Sequence, residues 1–481
     1  MSRSLSWLPA GAEPVESSRC EGEDFELVFA SRYGMESLFV RGGGALVRDL
    51  AGVAADGVKV CPPTHFNRLV LNAYLPFTAP AAFGRTAATL GLGDRLGLCA
   101  GAHIRAVQNS RLKPVLAQQS LRELSFMRRS YDDMIDAAAY GALRAGYRGG
   151  YAADGDHLKT AEQIKRALRD DCTMITLDCS DVLEDLPPGA PVHERYMALP
   201  EETRARLEAE YPHDADAARL GLRFGRETLE RLAVQYGESV ALAAEIYRHT
   251  LLPHRRTVDY ELSLDETASV TTHEAHYFVA KELTRLSVAY TSVAPRFVGE
   301  FHKGVEYVGS LPGLFSDMEA HARIAAHFGH KLSVHSASDK FSVYAALARS
   351  TNGLFHVKTS GTSWLCAVRT LAMYEPALYR RMHARALEAF PEAKKAYTVH
   401  ADPMRVAPLS DTPDALLPLY LEKDDSRQLM HITYGYLFSD PALAADIGAA
   451  LVRHKAELEE QVASHISAHI RALGGYEGEG E

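Results

Sequence analysis

The chain has 481 residues, of which 47% are hydrophobic and 24% are charged, and its mean hydropathy is -0.16. This balance is typical of a folded globular protein with ample apolar material for a large core, and it excludes intrinsic disorder. The net charge of -10 disfavours nucleic acid as a partner, because nucleic-acid binding depends on clustered Lys and Arg.

The N-terminal stretch MSRSLSWLPAGAEPVESS lacks the continuous apolar run of a signal peptide. No segment approaches the roughly 18 apolar residues of a membrane span, so we predict a cytoplasmic protein without a membrane partner. The cysteines form no C-x-x-C pair, which disfavours a disulfide framework and a thiolate zinc site. We predict that they are reduced core residues: Cys20, Cys61, Cys99, Cys172, Cys179 and Cys366.

From Arg95 onwards, short apolar runs that end in Gly, Ser, Asp or His alternate with helical patterns. Two of the helices are predicted to begin at capping boxes, Thr160 with Gln163 and Thr271 with Glu274. Eight such units predict an α/β fold, a TIM (β/α)8 barrel, with a doubly wound sheet as the alternative. The predicted strands are 95–101, 114–120, 147–156, 172–180, 259–267, 287–299, 331–339 and 354–361.

Three segments extend the minimal barrel. Residues 1–90 are predicted to form an N-terminal extension, and the barrel is predicted to span 91–370. A helical insertion at 181–258 follows the fourth strand, where it would act as a cap or as a contact in a homo-oligomer. Residues 371–481 are predicted to form a mostly helical C-terminal region that packs on the barrel.

Histidines lie at the ends of several predicted strands. His157 ends the third strand, His302 follows the sixth and His335 lies in the seventh. In a TIM barrel these strand ends meet on one face, so the three imidazoles are predicted to converge and to bind Zn, Mn or a similar divalent ion. His103, after the first predicted strand, is the alternative to His302. Taken singly, each histidine could equally be a structural, hydrogen-bonded residue.

Carboxylates lie at the same strand ends. Asp156 and Glu266 are predicted to act as an acid/base pair that flanks a metal-bound sugar from opposite faces, which is the arrangement that inversion at carbon needs. Each could instead cap a helix or orient a ligand histidine. Asp154 and Asp265 would replace them if the strand register slips by one residue.

Four further side chains near the strand ends are predicted to bind the substrate. Barrels often bind anionic groups at their last two strands, which favours lysines there, with an ordinary surface position as the alternative. The predicted substrate-binding residues are Lys340, Lys358, Arg296 and Gln118.

Three apparent motifs do not match the functional signatures that they suggest. GLGDRLG at 91–97 lacks the G-x-G-x-x-G spacing, and its glycines precede the predicted strand, so no nucleotide cofactor is expected. HEAH at 273–276 is not H-E-x-x-H, and GTSWL lacks the G-x-S-x-G elbow. Metalloprotease and serine hydrolase chemistry are therefore unsupported.

Several of these stretches together resemble the tagaturonate/fructuronate epimerases, metal-dependent hexuronate epimerases related to engineered tagatose 4-epimerases. The resemblance spans about 85 to 450, and it implies a small sugar-acid substrate, an acid/base pair at Asp156 and Glu266, and metal ligation by His157, His302 and His335. The segments that carry it are GDRLGLCAGAHIRA, PVLAQQSLREL, DGDHLKT, LDET, APRFVGEFHKGVEY, KLSVHSASDKFSVY and FHVKTSGTSWL.

The implied reaction interconverts D-tagaturonate and D-fructuronate, which differ at a carbinol carbon one bond beyond the position α to the ketone. Enolisation does not acidify that hydrogen, so a metal-assisted retro-aldol cleavage and re-addition is the expected route. A class II-type aldolase or ketose isomerase on the same barrel is the alternative enzyme, and a non-catalytic sugar-acid-binding protein is the alternative from another class.

Overall fold

The N-terminal region is an antiparallel sheet, and the computed structural model describes residues 5–187 and 189–476. The sheet strands are β1 (Glu13–Pro14), β2 (Cys20–Glu21), β3 (Phe25–Arg32), β4 (Met35–Gly42), β5 (Val53–Ala55) and β6 (Val58–Cys61). Their order is β1-β3-β4-β6-β5, with β2 paired to β3. The inner face of the sheet buries Leu27, Phe29 and Leu38, which pack with Leu143 of the barrel's outer helix layer.

Eight parallel strands close into a barrel in which each strand pairs with the next along the chain, and the last strand pairs with the first. The predicted TIM-barrel class is therefore confirmed. The barrel strands are β7 (Thr89–Leu92), β8 (Lys113–Ser120), β9 (Ala152–Leu158), β10 (Met174–Asp178), β11 (Asp259–Ser263), β12 (Ser292–Ala294), β13 (Lys331–Val334) and β14 (Phe355–Thr359).

The first strand was placed wrongly by the sequence. The strand is Thr89–Leu92, while 95–101 forms a turn and the start of a helix. Asp94 fixes the turn, because its carboxylate accepts hydrogen bonds from the backbone N–H groups of Leu96, Gly97 and Cys99. Most of the GLGDRLG segment therefore follows the first strand and does not precede it, although its glycine spacing still differs from the nucleotide fingerprint.

Other boundaries shift by smaller amounts. Of the predicted strand 287–299 only Ser292–Ala294 pairs, and Pro295 follows it immediately. The capping box of Thr160 with Gln163 is confirmed. The next predicted box is wrong by one residue, because Thr272, and not Thr271, caps its helix by accepting from the N–H of Ala275.

The helices surround the barrel and form the insertion and the C-terminal region. The outer barrel helices include α3 (Ala100–Val107), α4 (Leu121–Met127), α5 (Tyr131–Arg144), α6 (Ala161–Arg169), α11 (His273–Arg285), α12 (Leu311–Phe328), α13 (Phe341–Ser350) and α14 (Thr362–Tyr374). The N-terminal helices are α1 (Ala45–Asp49) and α2 (His65–Tyr74); the insertion contains α7 (His193–Met197), α8 (Glu201–Glu210), α9 (Ala215–Arg219) and α10 (Arg226–Ile246). The C-terminal helices are α15 (Pro376–Ala393), α16 (Asp424–Ile432), α17 (Tyr434–Ser439), α18 (Pro441–Arg453) and α19 (Lys455–Ala472).

One apolar core runs through the barrel, the insertion and the C-terminal region. The insertion joins it because α10 packs on α11, and the C-terminal region joins it because α19 packs on α3 and α14. All six cysteines are buried free thiols, as predicted. Within the part of the chain that the structure describes, no helix is long and apolar enough to cross a membrane.

Candidate active site

A buried group of charged side chains lies inside the barrel. The Nζ atom of Lys358, on β14, lies 2.8 Å from Asp154 on β9 and 3.0 Å from Glu261 on β11. It also donates to Asp156 at 2.7 Å and contacts the hydroxyl of Thr176 on β10. These residues come from strands that are not all neighbours, so their side chains meet in the barrel interior.

The charges in this group stabilise one another. Burial disfavours a charged lysine, but three carboxylates outweigh it and raise the pKa of Lys358 well above its ordinary value. Burial likewise opposes ionisation of Glu261, yet Lys358 and His335 hold its pKa well below the usual range. Burial raises the pKa of Asp154 to about 6, in spite of the lysine beside it. The barrel interior is therefore a polar network with one ammonium at its centre.

Two histidines and a carboxylate lie above this network. Donor atoms of His157, Asp265 and His335 all lie within 4.8 Å of one another. The Nδ1 atom of His335 lies 3.0 Å from Asp265 Oδ1, although the contact lacks hydrogen-bond geometry. The rings of the two histidines are 5.0 Å apart between centroids. This is a donor set that suits a divalent transition ion.

Each histidine is oriented by a carboxylate through its other nitrogen. His335 Nε2 lies 2.8 Å from Glu261 Oε1, and His157 Nδ1 lies 2.9 Å from Asp156 Oδ1. A histidine that binds a metal usually donates its second ring N–H to such a carboxylate, which fixes the ring and its tautomer. The arrangement leaves Nδ1 of His335 and Nε2 of His157 as the donor atoms toward the cleft.

The predicted acid/base residues border the same imidazole. Asp156 contacts Nδ1 of His157, and Glu266 Oε1 lies 3.3 Å from its Nε2. Burial opposes ionisation of Asp156, but Lys358 and His157 hold its pKa well below the usual range. The hydrogen bond from His157 is the main cause that lowers the pKa of Glu266. The Glu266 side chain is 55% exposed and free to meet a ligand, whereas Asp156 is held by two partners.

These groups open into a cleft with two lobes of about 410 Å³ and 190 Å³. Asp156, His157, Lys358 and Gln118 line the larger lobe, and Asp265 lines the smaller one. Residues that line both lobes are Arg122, Glu266, Lys303, His335, Ser336 and Tyr397. The combined space suits a sugar acid, with the metal-ligand candidates at the boundary between the lobes.

Two cations at this boundary form no ion pair with a carboxylate among the described residues. Lys303 donates to the Ser336 hydroxyl at 2.8 Å, and Arg122 donates to the Ala396 carbonyl and lies over the Tyr397 ring. Their polar contacts are thus to neutral groups, and within the described part of the chain neither has a carboxylate oxygen within 4.0 Å. Unpaired charge in a cleft favours an anionic ligand.

Three of the predicted site residues, Lys340, His302 and Arg296, stand apart from this group. Lys340 is fully buried, and its Nζ donates to the backbone carbonyls of His302, Val305 and Ser338, so the structure does not bring it into the cleft. His302 lines the smaller lobe, but its Nδ1 contacts the Thr398 carbonyl and its ring packs on His400.

Arg296 lines the same lobe, with Glu300 at 3.4 Å as its ion-pair partner. Gln118 is buried at the wall of the larger lobe, where its Oε1 makes no hydrogen bond to any described residue. The alternative ligand His103 lies elsewhere, since its Nε2 contacts the Ser363 hydroxyl and burial lowers its pKa to about 4.

Sequence reasoning missed five residues of the site. Glu261 and Thr176 lie in the middle of barrel strands, and Arg122, Lys303 and Tyr397 lie outside the strand ends. The signal for Glu261 was available, because an acidic residue within the apolar run YELSL must find a buried partner. No sequence pattern marks Arg122 or Tyr397.

Residues 37–473 of the chain match the family model of UxaE, tagaturonate epimerase. A curated relative, tagaturonate/fructuronate epimerase from Thermotoga maritima, is 38% identical over 427 residues, which is 88% of each chain. The native crystal structure of the fructuronate-tagaturonate epimerase UxaE from Cohnella laeviribosi superposes with a TM-score of 0.94, 42% identity and 98% coverage of both chains. A glycerol complex of that protein gives a TM-score of 0.93 with 42% identity over 96% of each chain.

Proposed function

Because the chain belongs to the tagaturonate epimerase family and is an isomerase, we propose that it interconverts D-tagaturonate and D-fructuronate in the cytoplasm with a divalent metal ion as cofactor. The observation that carries this proposal is the cleft itself. Two histidines and a carboxylate converge there beside an exposed glutamate and two unpaired cations.

The donor set fits the proposed ion. His157 and His335 each have one ring nitrogen fixed by a carboxylate and the other directed toward the shared point, and Asp265 supplies an oxygen there. These three residues would hold the ion, with His302 at the rim of the smaller lobe as the further ligand that the sequence suggests. When bound, the ion would act as a Lewis acid on the ketone and on an adjacent hydroxyl oxygen.

The substrate carboxylate is proposed to pair with Lys303 and Arg122, because both cations line both lobes and form no ion pair within 4.0 Å among the described residues. Gln118, in the wall of the larger lobe, is placed to meet a sugar hydroxyl. Lys358 lines the cleft as well, but three carboxylates already neutralise its charge. It therefore positions Asp156 and does not bind the substrate anion.

Glu266 and Asp156 are proposed to move protons in the reaction. A base takes the hydroxyl proton on the carbon to be inverted, the bond from that carbon to the carbon α to the ketone breaks, and its electron pair passes into the ketone-bearing fragment. The aldehyde rotates, the same bond re-forms on the other face, and the alkoxide takes a proton. No hydrogen leaves carbon, so deuterium at the inverted carbon should stay in place and give no primary isotope effect.

The direct test of the function is to incubate the purified protein with D-tagaturonate and to follow D-fructuronate by NMR. We expect conversion to an equilibrium mixture from either side, without net oxidation. Failure to convert either compound with Mn, Zn or Ni supplied would refute the proposal.

The role of Asp156 can be separated from that of Glu266. Asp156→Asn removes the group that orients His157, so a positioning role predicts a loss of bound metal together with activity. Glu266→Gln should lower kcat by about 10²- to 10⁴-fold while the metal content stays at the wild-type value. Asp265→Asn and His302→Gln, compared by metal content, identify which of the two is the third ligand.

A further inference from the structure

A second group of potential metal ligands lies outside the cleft, between two outer helices. His273 is the first residue of α11, and Asp317 and His321 are four residues apart on one face of α12. The donor atoms of these three residues all lie within 4.8 Å of one another. The HEAH segment thus supplies a histidine to this group.

The spacing of the donors suits a small divalent ion. His273 Nε2 lies 2.9 Å from Asp317 Oδ1, and His321 Nε2 lies 3.7 Å from the same oxygen. Ligands that bind tetrahedral zinc at about 2.0–2.1 Å are roughly 3.3 Å from one another, a value between these two distances. The side chain of His273 is 35% exposed, so solvent can supply a remaining ligand.

His321 is the strongest sign of a missing partner. The residue is fully buried, and its Nε2 makes no hydrogen bond to any residue that the structure describes. The Thr271 carbonyl approaches the ring without hydrogen-bond geometry. A buried ring nitrogen aimed at a carboxylate and a second imidazole is an unusual arrangement unless something binds between them.

A chain of histidines fixes the other side of His321. Its Nδ1 lies 3.0 Å from Nδ1 of His276, and His276 Nε2 lies 2.9 Å from Nε2 of His330. If each imidazole donates to the next in this order, His321 presents an unprotonated Nε2 to the carboxylate side. A ligand histidine that donates its second N–H to a buried acceptor has this arrangement.

The group also contacts the loop that lines the catalytic cleft. Asp317 Oδ2 accepts a hydrogen bond from the N–H of Val298, and the Phe297 ring packs edge-on against His321. The same loop carries Arg296 and His302. An ion at this position would therefore hold the loop on α12.

We propose that His273, Asp317 and His321 form a second divalent-metal site, of the zinc type, that fixes the loop at 295–310 and takes no part in the chemistry. The site is distinct from that of the catalytic ion, because none of its three residues lines the cleft.

The test is the amount of zinc that each chain retains. Wild type, His273→Ala, Asp317→Asn and the control His327→Ala are stripped with a chelator, loaded with Zn²⁺ alone, freed of excess metal and analysed by mass spectrometry. His327 lies on α12, the helix that carries Asp317, and its side chain is about as exposed as that of His273. It is outside the ligand group. We expect the wild type and the control to hold one zinc per chain more than the other two variants.

A second comparison separates this site from the catalytic one. His335→Gln should lose the catalytic ion and keep one zinc, whose visible spectrum with Co²⁺ in its place should show tetrahedral coordination. His335→Gln combined with His273→Ala should keep none. Equal zinc in wild type, His273→Ala and Asp317→Asn would overturn the second site, whatever His335→Gln shows about the first.

Discussion

Replacing Lys358 by Met should destabilise the whole fold and not only weaken substrate binding. The ammonium contacts three carboxylates inside the barrel: Asp154, Asp156 and Glu261. Breaking a buried ion pair by removing one partner costs about 3–5 kcal/mol, because the remaining charges are left uncompensated. Lys358→Met should therefore lower the free energy of unfolding by at least about 3 kcal/mol.

The matched control is Lys331→Met on the neighbouring strand β13. The Lys331 side chain is also buried, but its Nζ donates to the Ala87 carbonyl and to the Thr89 hydroxyl, and it has no carboxylate within 4.0 Å among the described residues. Lys331→Met removes ordinary hydrogen bonds, but it also removes a buried charge that has no ion-pair partner. We therefore expect it to lower the free energy of unfolding by no more than about 1.5 kcal/mol.

Urea unfolding with a chelator present measures the free energy of unfolding of both variants without a contribution from bound metal. Adding Asp154→Asn to Lys358→Met removes one of the stranded carboxylates and should recover about 1 kcal/mol or more, a coupling that a double-mutant cycle quantifies. Equal stability of Lys358→Met and Lys331→Met, or no recovery by Asp154→Asn, would refute the description of Lys358 as the counter-ion of a carboxylate network.

Three further predictions concern the cleft, its loop and the thiols. Lys303→Met should raise KM for the uronates about 10- to 100-fold with a smaller change in kcat, since it removes a charged partner of the carboxylate; an unchanged KM contradicts that role. Gly299→Ala should impair activity more than Gly329→Ala. Both glycines have φ near +72 to +76°, but of the two only Gly299 would bring a new Cβ within 4 Å of another atom, the Tyr307 hydroxyl. Equal activities of the two variants would contradict this steric argument. Burial raises the pKa of thiols such as Cys61, to about 11, so a thiol reagent at pH 8 should label no cysteine in the native protein and six after denaturation; rapid labelling of the native protein contradicts it.

Much of the site was accessible from sequence because barrel topology places strand ends together. Asp156, His157, Glu266 and His335 follow from that rule, and the structure places all four in one cleft. Their catalytic and metal-binding roles remain predictions. Asp265, considered only as a replacement for Glu266, is the residue that joins the two histidines within 4.8 Å.

The rest depended on the direction of side chains, which local sequence does not determine. Lys340 directly precedes α13, and its ammonium turns inward to three backbone carbonyls. Glu261 lies within a strand, and its side chain reaches the site from the barrel interior, so a rule about strand ends does not identify it. The first strand was misplaced because RLGLCAG is as apolar as a strand, while the turn is determined by the side chain of Asp94.

Epimerisation of the ketohexuronates is proposed to need a divalent ion held by His157 and His335. The measurement that tests it most directly is the rate of D-fructuronate formation from D-tagaturonate, followed by NMR, with protein stripped by EDTA and then resupplied with Mn, Zn or Ni. We expect stripped wild type to be inactive and to recover with metal, and His335→Gln to recover little at any metal concentration. Full activity of a chain shown to be free of metal would contradict it.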